Sequence, residues 1–280
     1  MLLLGAHMSI AGGVYNSLLS GKELGCTTVQ VFTKNANQWK ARNLSSEEIE
    51  KFKQLQNETQ IYPVVAHDSY LINIASKDKE LLKKSRESLL FELNRTEMLN
   101  LQYLVMHPGS NPDEKEGIKR IVDSLNWVHS KSPKYKAQIC LEATAGQGNT
   151  LGHRFEQIAE IIEGVNEKKR LGVCYDTAHT FAAGYDIRTK KAYEETFKKF
   201  DKIIGLKKLL VIHLNDSKKD LGTRVDRHEH IGKGFIGPEA FRLLLNDPRF
   251  KNIPKILETP KQGDMDKRNL KLLRSLVKKS

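Results

Sequence analysis

Nine histidine and acidic side chains in this sequence have the donor atoms needed to bind metal ions together. Most of them come directly after a short apolar run, as in YPVVA before His67, LLVI before His213 and PKIL before Glu258. Because they recur at equivalent points of a repeated pattern, a shared chemical role explains them better than packing does. The nine candidate ligands are His67, His107, Glu142, Asp176, His179, His213, Asp226, His228 and Glu258.

Imidazole nitrogens and carboxylate oxygens make up this donor set. They suit zinc, manganese or iron better than calcium or magnesium alone. The set has no cysteine and is too large for one ion, so a closed structural zinc site is excluded. Shared among three ions, it leaves positions open for water and substrate. Two short spacings add support, since Asp176 lies three residues before His179 and Asp226 two residues before His228.

Clustered metal ions are well suited to hydrolysing phosphodiesters. Two ions about 4 Å apart generate a nucleophile near neutral pH and hold the phosphate in line for attack. Lys and Arg total 46 against 34 Asp and Glu, so the formal net charge is +12. A basic surface favours a polyanionic partner such as a nucleic-acid backbone.

Eight short apolar runs, alternating with helical patterns, must position these side chains. Strand–helix alternation predicts a parallel α/β fold, and eight repeats in 280 residues predict a (β/α)8 TIM barrel formed by a single domain over residues 1–280. The metal site is then expected at the C-terminal mouth of the strands. The runs are LLLGA (2–6), TVQVFT (28–33), YPVVA (62–66), LQYLVM (101–106), AQICLE (137–142), LGVCYD (171–176), KLLVIHL (208–214) and PKILE (254–258).

Small or branched apolar residues occupy the positions two before six of the candidate ligands. Side chains two apart on a strand face the same way, so these residues predict an apolar layer inside the barrel, under a polar mouth. They are Val65, Val105, Cys140, Cys174, Val211 and Ile256. Ser45 or Ser46 is the expected N-cap of the helix that begins there. The basic segment 267–280 is expected to form the last outer helix of the barrel.

The three cysteines, Cys26, Cys140 and Cys174, are expected to be reduced and buried. The N-terminus lacks the basic region of a signal peptide, and no apolar run approaches the roughly 20 residues of a membrane span. We therefore expect a soluble, intracellular protein.

Ordered motifs along essentially the whole chain resemble endonuclease IV, the zinc-dependent apurinic/apyrimidinic endonuclease family of base-excision repair. They are GAHMSIAGG (5–13), FTKNANQW (32–39), HDSYLIN (67–73), MHPGS (106–110), LEATAGQGNTLG (141–152), GVCYDTAHTFAAGYD (172–186), HLNDSKKDLGTRVDRHEHIGKGFIG (213–237) and LETP (257–260). The resemblance implies a barrel with three Zn²⁺ ions at its mouth, with Mn²⁺ or Fe²⁺ as substitutes at some positions.

The resemblance also implies how the ligands are shared. His67, His107 and Glu142 match one zinc site. Glu142 would bridge to a second zinc, together with Asp176, His213 and Glu258, and His179, Asp226 and His228 would hold the third. The implied reaction cleaves the phosphodiester 5′ to an abasic site by a metal-hydroxide mechanism. It leaves a 3′-hydroxyl and a 5′-deoxyribose phosphate, and blocked 3′ ends are also trimmed. Glu142 and Glu258 would be the catalytic carboxylates.

Contacts to damaged double-stranded DNA follow from the same resemblance. Tyr70 matches a residue that family members insert into the minor groove, and Asn35 and Gln38 belong to the neighbouring rim loop. The chain departs from the family at Asn37, where an inserting Arg is common, and at Ala178, where Cys or Ser is usual. His7, Arg227 and Lys233 are further candidates for DNA contact, and Lys34 and Arg224 are weaker ones. A monomer is expected, located in the bacterial cytoplasm and associated with the nucleoid while it acts on DNA.

Two other function classes fit part of the pattern. Metal-dependent sugar isomerases and epimerases share this barrel, and fold alone does not separate them from nucleases. Their one or two ions and modest basic surface fit this ligand set and charge less well. A DNA-binding module without catalysis leaves the ligands unexplained. His129, His153 and His230 are expected to be ordinary polar residues outside the site.

Overall fold

Eight parallel strands form a closed barrel in the computed structural model, which describes residues 2–278. All eight lie on the predicted apolar runs, so the predicted (β/α)8 fold is confirmed. In chain order, the eight barrel strands and two short strands outside the barrel (β8 and β9) are β1 Leu4–Met8, β2 Val29–Phe32, β3 Val64–His67, β4 Tyr103–Met106, β5 Gln138–Glu142, β6 Leu171–Asp176, β7 Leu209–His213, β8 Asp216–Ser217, β9 His228–Glu229 and β10 Lys255–Leu257. Around the ring the order is β1-β10-β7-β6-β5-β4-β3-β2, and β8 and β9 form a separate antiparallel pair.

Helices connect the strands and cover the outside of the barrel. Their bounds are α1 Asn16–Glu23, α2 Ser46–Thr59, α3 Lys79–Met98, α4 Glu114–Lys131, α5 Phe155–Gly164, α6 Thr177–Ala182, α7 Lys190–Ile203, α8 Pro238–Leu245 and α9 Met265–Ser275. Ser45 caps α2 in a reciprocal capping box with Glu48, as one of the two predicted alternatives had it. α9 lies outside the barrel next to α8 and β1, and residues 279–280 of the predicted last helix lie outside the described part of the chain.

The barrel interior contains five of the six residues of the predicted apolar layer as one cluster, while the sixth, Ile256, is fully buried but outside that cluster. Val65, Val105, Cys140, Cys174 and Val211 are fully buried and form their own cluster, separate from the larger core between strands and helices. In the parallel register, Val105 pairs with Cys140 and Cys174 with Val211, so the layer continues from strand to strand. Two residues further along each of these strands, the side chains point inward again at the carboxyl end.

The three cysteines are free and buried, as expected. Within residues 2–278, none of the helices is both long and apolar enough to cross a membrane.

Candidate metal centre

The barrel mouth brings all nine candidate ligands together. Six of them are the last residue of a barrel strand or the residue just after it, so the parallel register delivers them to one end of the ring. His67, Glu142, Asp176 and His213 end β3, β5, β6 and β7, while His107 and Glu258 directly follow β4 and β10.

Local structure delivers the other three. α6 begins directly after β6, and the Asp176 carboxylate caps it by accepting from the backbone N–H of His179 at 2.9 Å. His228 begins β9, which pairs with β8 so that His228 lies opposite Ser217. The β8–β9 pair thereby brings Asp226 and His228 to the mouth. The sequence predicted that both side chains could reach one ion if this segment is extended, and β9 is extended.

Glu142 belongs to two groups of ligands at once. The first contains His67 and His107, and the second contains Asp176, His213 and Glu258. One of its oxygens, Oε2, lies 3.1 Å from His67 Nε2 and 3.3 Å from His107 Nε2. Its other oxygen, Oε1, lies 3.1 Å from His213 Nδ1, which is also 3.1 Å from Glu258 Oε2. Asp176 completes the second group. A carboxylate facing two groups at once has the position of a bridging ligand.

The third group forms around His179 and His228, whose Nε2 atoms are 3.2 Å apart. Asp226 Oδ1 lies 3.2 Å from His179 Nε2 and 3.7 Å from His228 Nε2. Asp176 Oδ2 is also 3.7 Å from His228 Nε2. Asp176 therefore faces both the second and third groups, which the sequence did not indicate.

The electrostatics of the mouth come from carboxylates buried among imidazoles. Burial alone would raise the pKa of Glu142, but His213 and His107 outweigh it and hold that pKa well below its usual range. Burial opposes protonation of His67, yet the hydrogen bond and charge of Glu142 raise the His67 pKa to about 9. The mouth is thus a set of anionic oxygens that attract positive charge.

Polar groups behind the histidines fix their ring orientation. His67 Nδ1 faces the backbone carbonyl of Asp68 at 2.9 Å, and His228 Nδ1 faces that of Glu258 at 3.1 Å. His213 Nε2 faces the side-chain oxygen of Gln30 at 2.8 Å. In each ring the other nitrogen is left to face the site, as is usual for metal-binding histidines.

Gln30 and Asn215 belong to the site but were missed in the sequence. Gln30 Nε2 donates to Glu258 Oε1 at 2.5 Å, and Asn215 Nδ2 donates to Asp176 Oδ2 at 2.7 Å. Their positions relative to the apolar runs could have revealed them. Gln30 is a polar residue inside an apolar strand, and Asn215 lies two residues after His213.

The donor set fits zinc. Ligand atoms about 2.0–2.2 Å from a tetrahedral zinc ion lie roughly 3.3–3.6 Å from one another. The contacts of 3.1–3.3 Å around Glu142 Oε2 are close to that spacing. Two imidazole nitrogens facing each other, as in His179 and His228, also require a proton or a cation between them. The structure thus contains candidate metal-binding groups of His, Glu and Asp.

Comparison with known proteins places the chain in a family. A family model described as a xylose isomerase-like TIM barrel matches residues 20–276. The probable endonuclease 4 of Geotalea daltonii is 51% identical over 98% of each chain. The crystal structure of endonuclease IV from Thermus thermophilus matches with a TM-score of 0.88 and 36% identity, covering 98% of both chains. The chain belongs to the endonuclease IV family. It is therefore an enzyme of the hydrolase class.

Sugar epimerases share the barrel fold with this endonuclease IV chain but little of its sequence. A D-tagatose 3-epimerase-like protein matches 99% of this chain and 97% of its own with a TM-score of 0.75, but at 20% identity. At that identity only the fold is shared, so this match does not favour epimerase chemistry.

Two of the predicted DNA-contacting residues, Tyr70 and Arg227, line the same mouth of this endonuclease IV barrel. Tyr70 is 64% exposed and lines a cavity of about 370 Å³ together with Arg227 and six of the candidate ligands. Its ring packs edge-on against Phe32, with ring centroids 5.3 Å apart. Asn35, Asn37, Gln38 and Lys233 are exposed, and His7 Nδ1 lies 3.5 Å from Glu258 Oε1.

The other polar residues considered from the sequence are not part of the ligand groups. Lys34 was wrongly considered for phosphate binding, since it is 3% exposed and paired with Glu92. His129 is buried in α4, His153 contacts Arg224, and His230 contacts Asn269. These three histidines are in none of the ligand groups found among residues 2–278.

Proposed function

We propose that this protein is a DNA-repair endonuclease that hydrolyses the phosphodiester 5′ to abasic sites and trims blocked 3′ ends. The observation that carries the proposal is the gathering of eight of the nine candidate ligands into overlapping groups around Glu142 and Asp176, in a chain of the endonuclease IV family. The ninth, Asp226, lies 3.2 Å from His179 Nε2. The products would be a 3′-hydroxyl and a 5′-deoxyribose phosphate.

Three zinc ions fit the ligand groups. His67, His107 and Glu142 would hold the first ion. Glu142, Asp176, His213 and Glu258 would hold the second, and His179, Asp226 and His228 the third, with Asp176 near enough to join them. Zinc bound there would supply Lewis acidity toward the phosphate and activate water at neutral pH.

The chain's own carboxylates position the reacting groups. Glu142 has no exposed surface and is surrounded by imidazoles, so it stays anionic and points its two oxygens in fixed directions. Glu258 is held by Gln30 and by His213. Both carboxylates accept hydrogen bonds from the attacking water and orient it toward the phosphate.

The rim provides contacts for a damaged duplex. Tyr70 is an exposed aromatic side chain beside the ligands, suited to enter the base stack where a base is missing. Asn35, Asn37 and Gln38 are exposed on the neighbouring loop, where their amides would contact DNA, and Arg227, Lys233 and His7 would contact phosphates. A net charge of +12 favours the polyanion.

The test is incubation of the protein with a duplex that carries one abasic analogue. We expect a single nick 5′ to the site, with a 3′-hydroxyl product, and elemental analysis is expected to find zinc. A duplex left intact by the zinc-loaded protein would exclude this function, and turnover of a ketose sugar instead would favour the epimerase alternative.

Glu142→Gln tests the role of the central carboxylate. The substitution keeps the shape of the side chain but removes its charge and one acceptor, so nicking should fall by at least about 100-fold. Binding of the abasic duplex, measured by fluorescence anisotropy, should persist. Unchanged turnover would remove Glu142 from the mechanism.

A further inference from the structure

A buried ion pair outside the ligand groups joins helix α3 to the loop after β2. Lys34 Nζ lies 3.2 Å from Glu92 Oε1, and both side chains are only 1% exposed. Burying two charges is unfavourable unless their geometry is well defined, so such a pair fixes conformation more than it adds stability.

The same two side chains hold two separate loops. Lys34 Nζ also donates to the carbonyl of Gln38 at 2.6 Å, which closes the loop between them. Glu92 Oε1 also accepts from the backbone N–H of Ser69 at 3.2 Å. Ser69 Oγ in turn donates to the carbonyl of Ala36. A single carboxylate therefore fixes the rim loop 34–38 relative to Tyr70, the residue after Ser69.

Arg95, almost one turn further along α3, holds the ends of the longer segment 33–42. Its Nε donates to the carbonyl of Thr33 at 2.9 Å, and its Nη1 donates to the carbonyl of Arg42 at 2.9 Å. Arg95 is only 7% exposed, so these bonds are shielded from competing water. Side chains of α3 thus bond both ends of segment 33–42, while Asn35, Asn37 and Gln38 of the same segment are exposed.

We infer that Lys34, Glu92 and Arg95 are positioning residues that set the spacing between Tyr70 and the amides of loop 34–38 before DNA arrives. We call the three the loop staple. The inference rests on the proposed function, since it assigns the staple to discrimination between damaged and intact duplex. Holding the probing side chains in place beforehand removes the entropic cost of ordering them on binding.

The experiment removes the ion pair of the staple with little change in shape and leaves Arg95 in place. Lys34→Met with Glu92→Gln deletes both buried charges together, so no unpaired charge remains. Glu92→Gln alone leaves the buried Lys34 ammonium without its carboxylate, so it should destabilise the protein more than the double variant does. Leu93→Ala is the matched control, because Leu93 is a fully buried core residue of the same helix and forms no hydrogen bond to either loop through its side chain.

Trp39 provides a signal that does not depend on catalysis. It follows Gln38 on the same loop and is half-buried under Lys84, whose Nζ lies 4.5 Å from the ring centroid. The chain has two tryptophans, so Trp127→Phe in every variant leaves Trp39 as the reporter. Acrylamide quenching of its fluorescence measures how well the loop is held.

We expect the double variant to increase Trp39 quenching about twofold and to lower the abasic-to-intact affinity ratio about tenfold. KM for nicking should rise by a similar factor, while kcat changes less than about threefold, because the staple acts on binding rather than on the reacting atoms. Zinc content should equal that of the parent. Leu93→Ala should lower the Tm but keep the affinity ratio and the quenching.

Two results would overturn the inference. One is a folded double variant with the parent's quenching and affinity ratio. The other is a Leu93→Ala control that shows the same losses as the double variant at an equal drop in Tm, which would make them a general effect of loosening. If quenching rises in the double variant but the parent protein nicks no abasic DNA, the staple holds the loop and the proposed repair function fails.

Discussion

Tyr70 is the single side chain on which discrimination of damaged DNA should depend most. Aromatic stacking on a base contributes about 1–3 kcal/mol, so Tyr70→Ala should weaken binding to an abasic duplex roughly 10-fold or more and binding to intact duplex much less. Competition anisotropy with the two duplexes measures the ratio. Equal losses for both would mean that Tyr70 only packs on Phe32.

Tyr62 offers a matched control for this substitution. It is also an exposed tyrosine, at 50%, but it precedes β3 and so lies at the opposite end of the barrel from the ligands. Tyr62→Ala should leave the abasic-to-intact affinity ratio unchanged.

His129 should give the protein a measurable loss of stability in mild acid. Burial, together with the charge of Arg170, lowers its pKa to about 4 from an ordinary value of 6.5. The unfolded chain therefore binds a proton that the folded chain does not, and the free energy of unfolding falls as pH drops from about 6.5 to about 4. His129→Leu should flatten this part of the curve, measured by urea unfolding of both proteins. Parallel curves would contradict it.

At the residue scale, the sequence was enough to find side chains whose position follows a local rule. Each strand-end ligand comes after an apolar run, so the pattern identified it without knowledge of its neighbours. Glu92 and Arg95 follow no such rule, because their partners lie in loops that are distant in sequence. Lys34 was misjudged for the same reason. Lysines are usually exposed, and only its pairing with Glu92 makes burial tolerable.

Among the elements, the β8–β9 pair carries a ligand that no barrel strand supplies. The Asp216 carboxylate organises the segment that follows it, accepting from the backbone N–H groups of Ser217, Gly232, Gly234 and Ile236 at 2.8–3.1 Å. Gly234 permits this close approach, since a Cβ there would lie 2.5 Å from Asp216 Oδ1.

Asp216→Asn should loosen this segment and with it His228. An amide has one oxygen to accept with and brings two donors of its own, so several of the four backbone donors lose their partner. We expect zinc content to fall by up to about one ion in three and Tm to fall by several degrees, measured by elemental analysis and calorimetry. Asp220→Asn is the control, because Asp220 is an exposed residue of the segment between β8 and β9. Equal zinc loss in both would contradict a special role for Asp216.

The barrel strands were predictable because each has its own apolar run, whereas β8 and β9 were not. Two-residue strands are too short to show a periodicity, and their pairing is fixed by tertiary contacts around Asp216. Only the ligand spacing of Asp226 and His228 hinted at an extended segment there.

At the scale of the whole molecule, the excess of basic residues should make DNA binding strongly dependent on salt. Each phosphate contact releases counterions, so log Kd should rise linearly with log salt concentration. Arg227→Ala, which removes an exposed cation at the mouth, should reduce the slope by about one. Lys191→Ala, an exposed lysine on α7 paired with Glu195, should not. A flat salt response would argue against a basic DNA-binding face.

Strand β1 lies between β10 and β2, so the earliest and latest segments of the ring meet beside His7 and Glu258. A chain that has not yet placed β10 would already carry all nine of its histidines, but the barrel would not yet enclose the ligands. Premature capture of cations during folding should therefore be weak and reversible. Slow loss of bound metal to a chelator would then indicate that β10 has paired with β1 and closed the barrel.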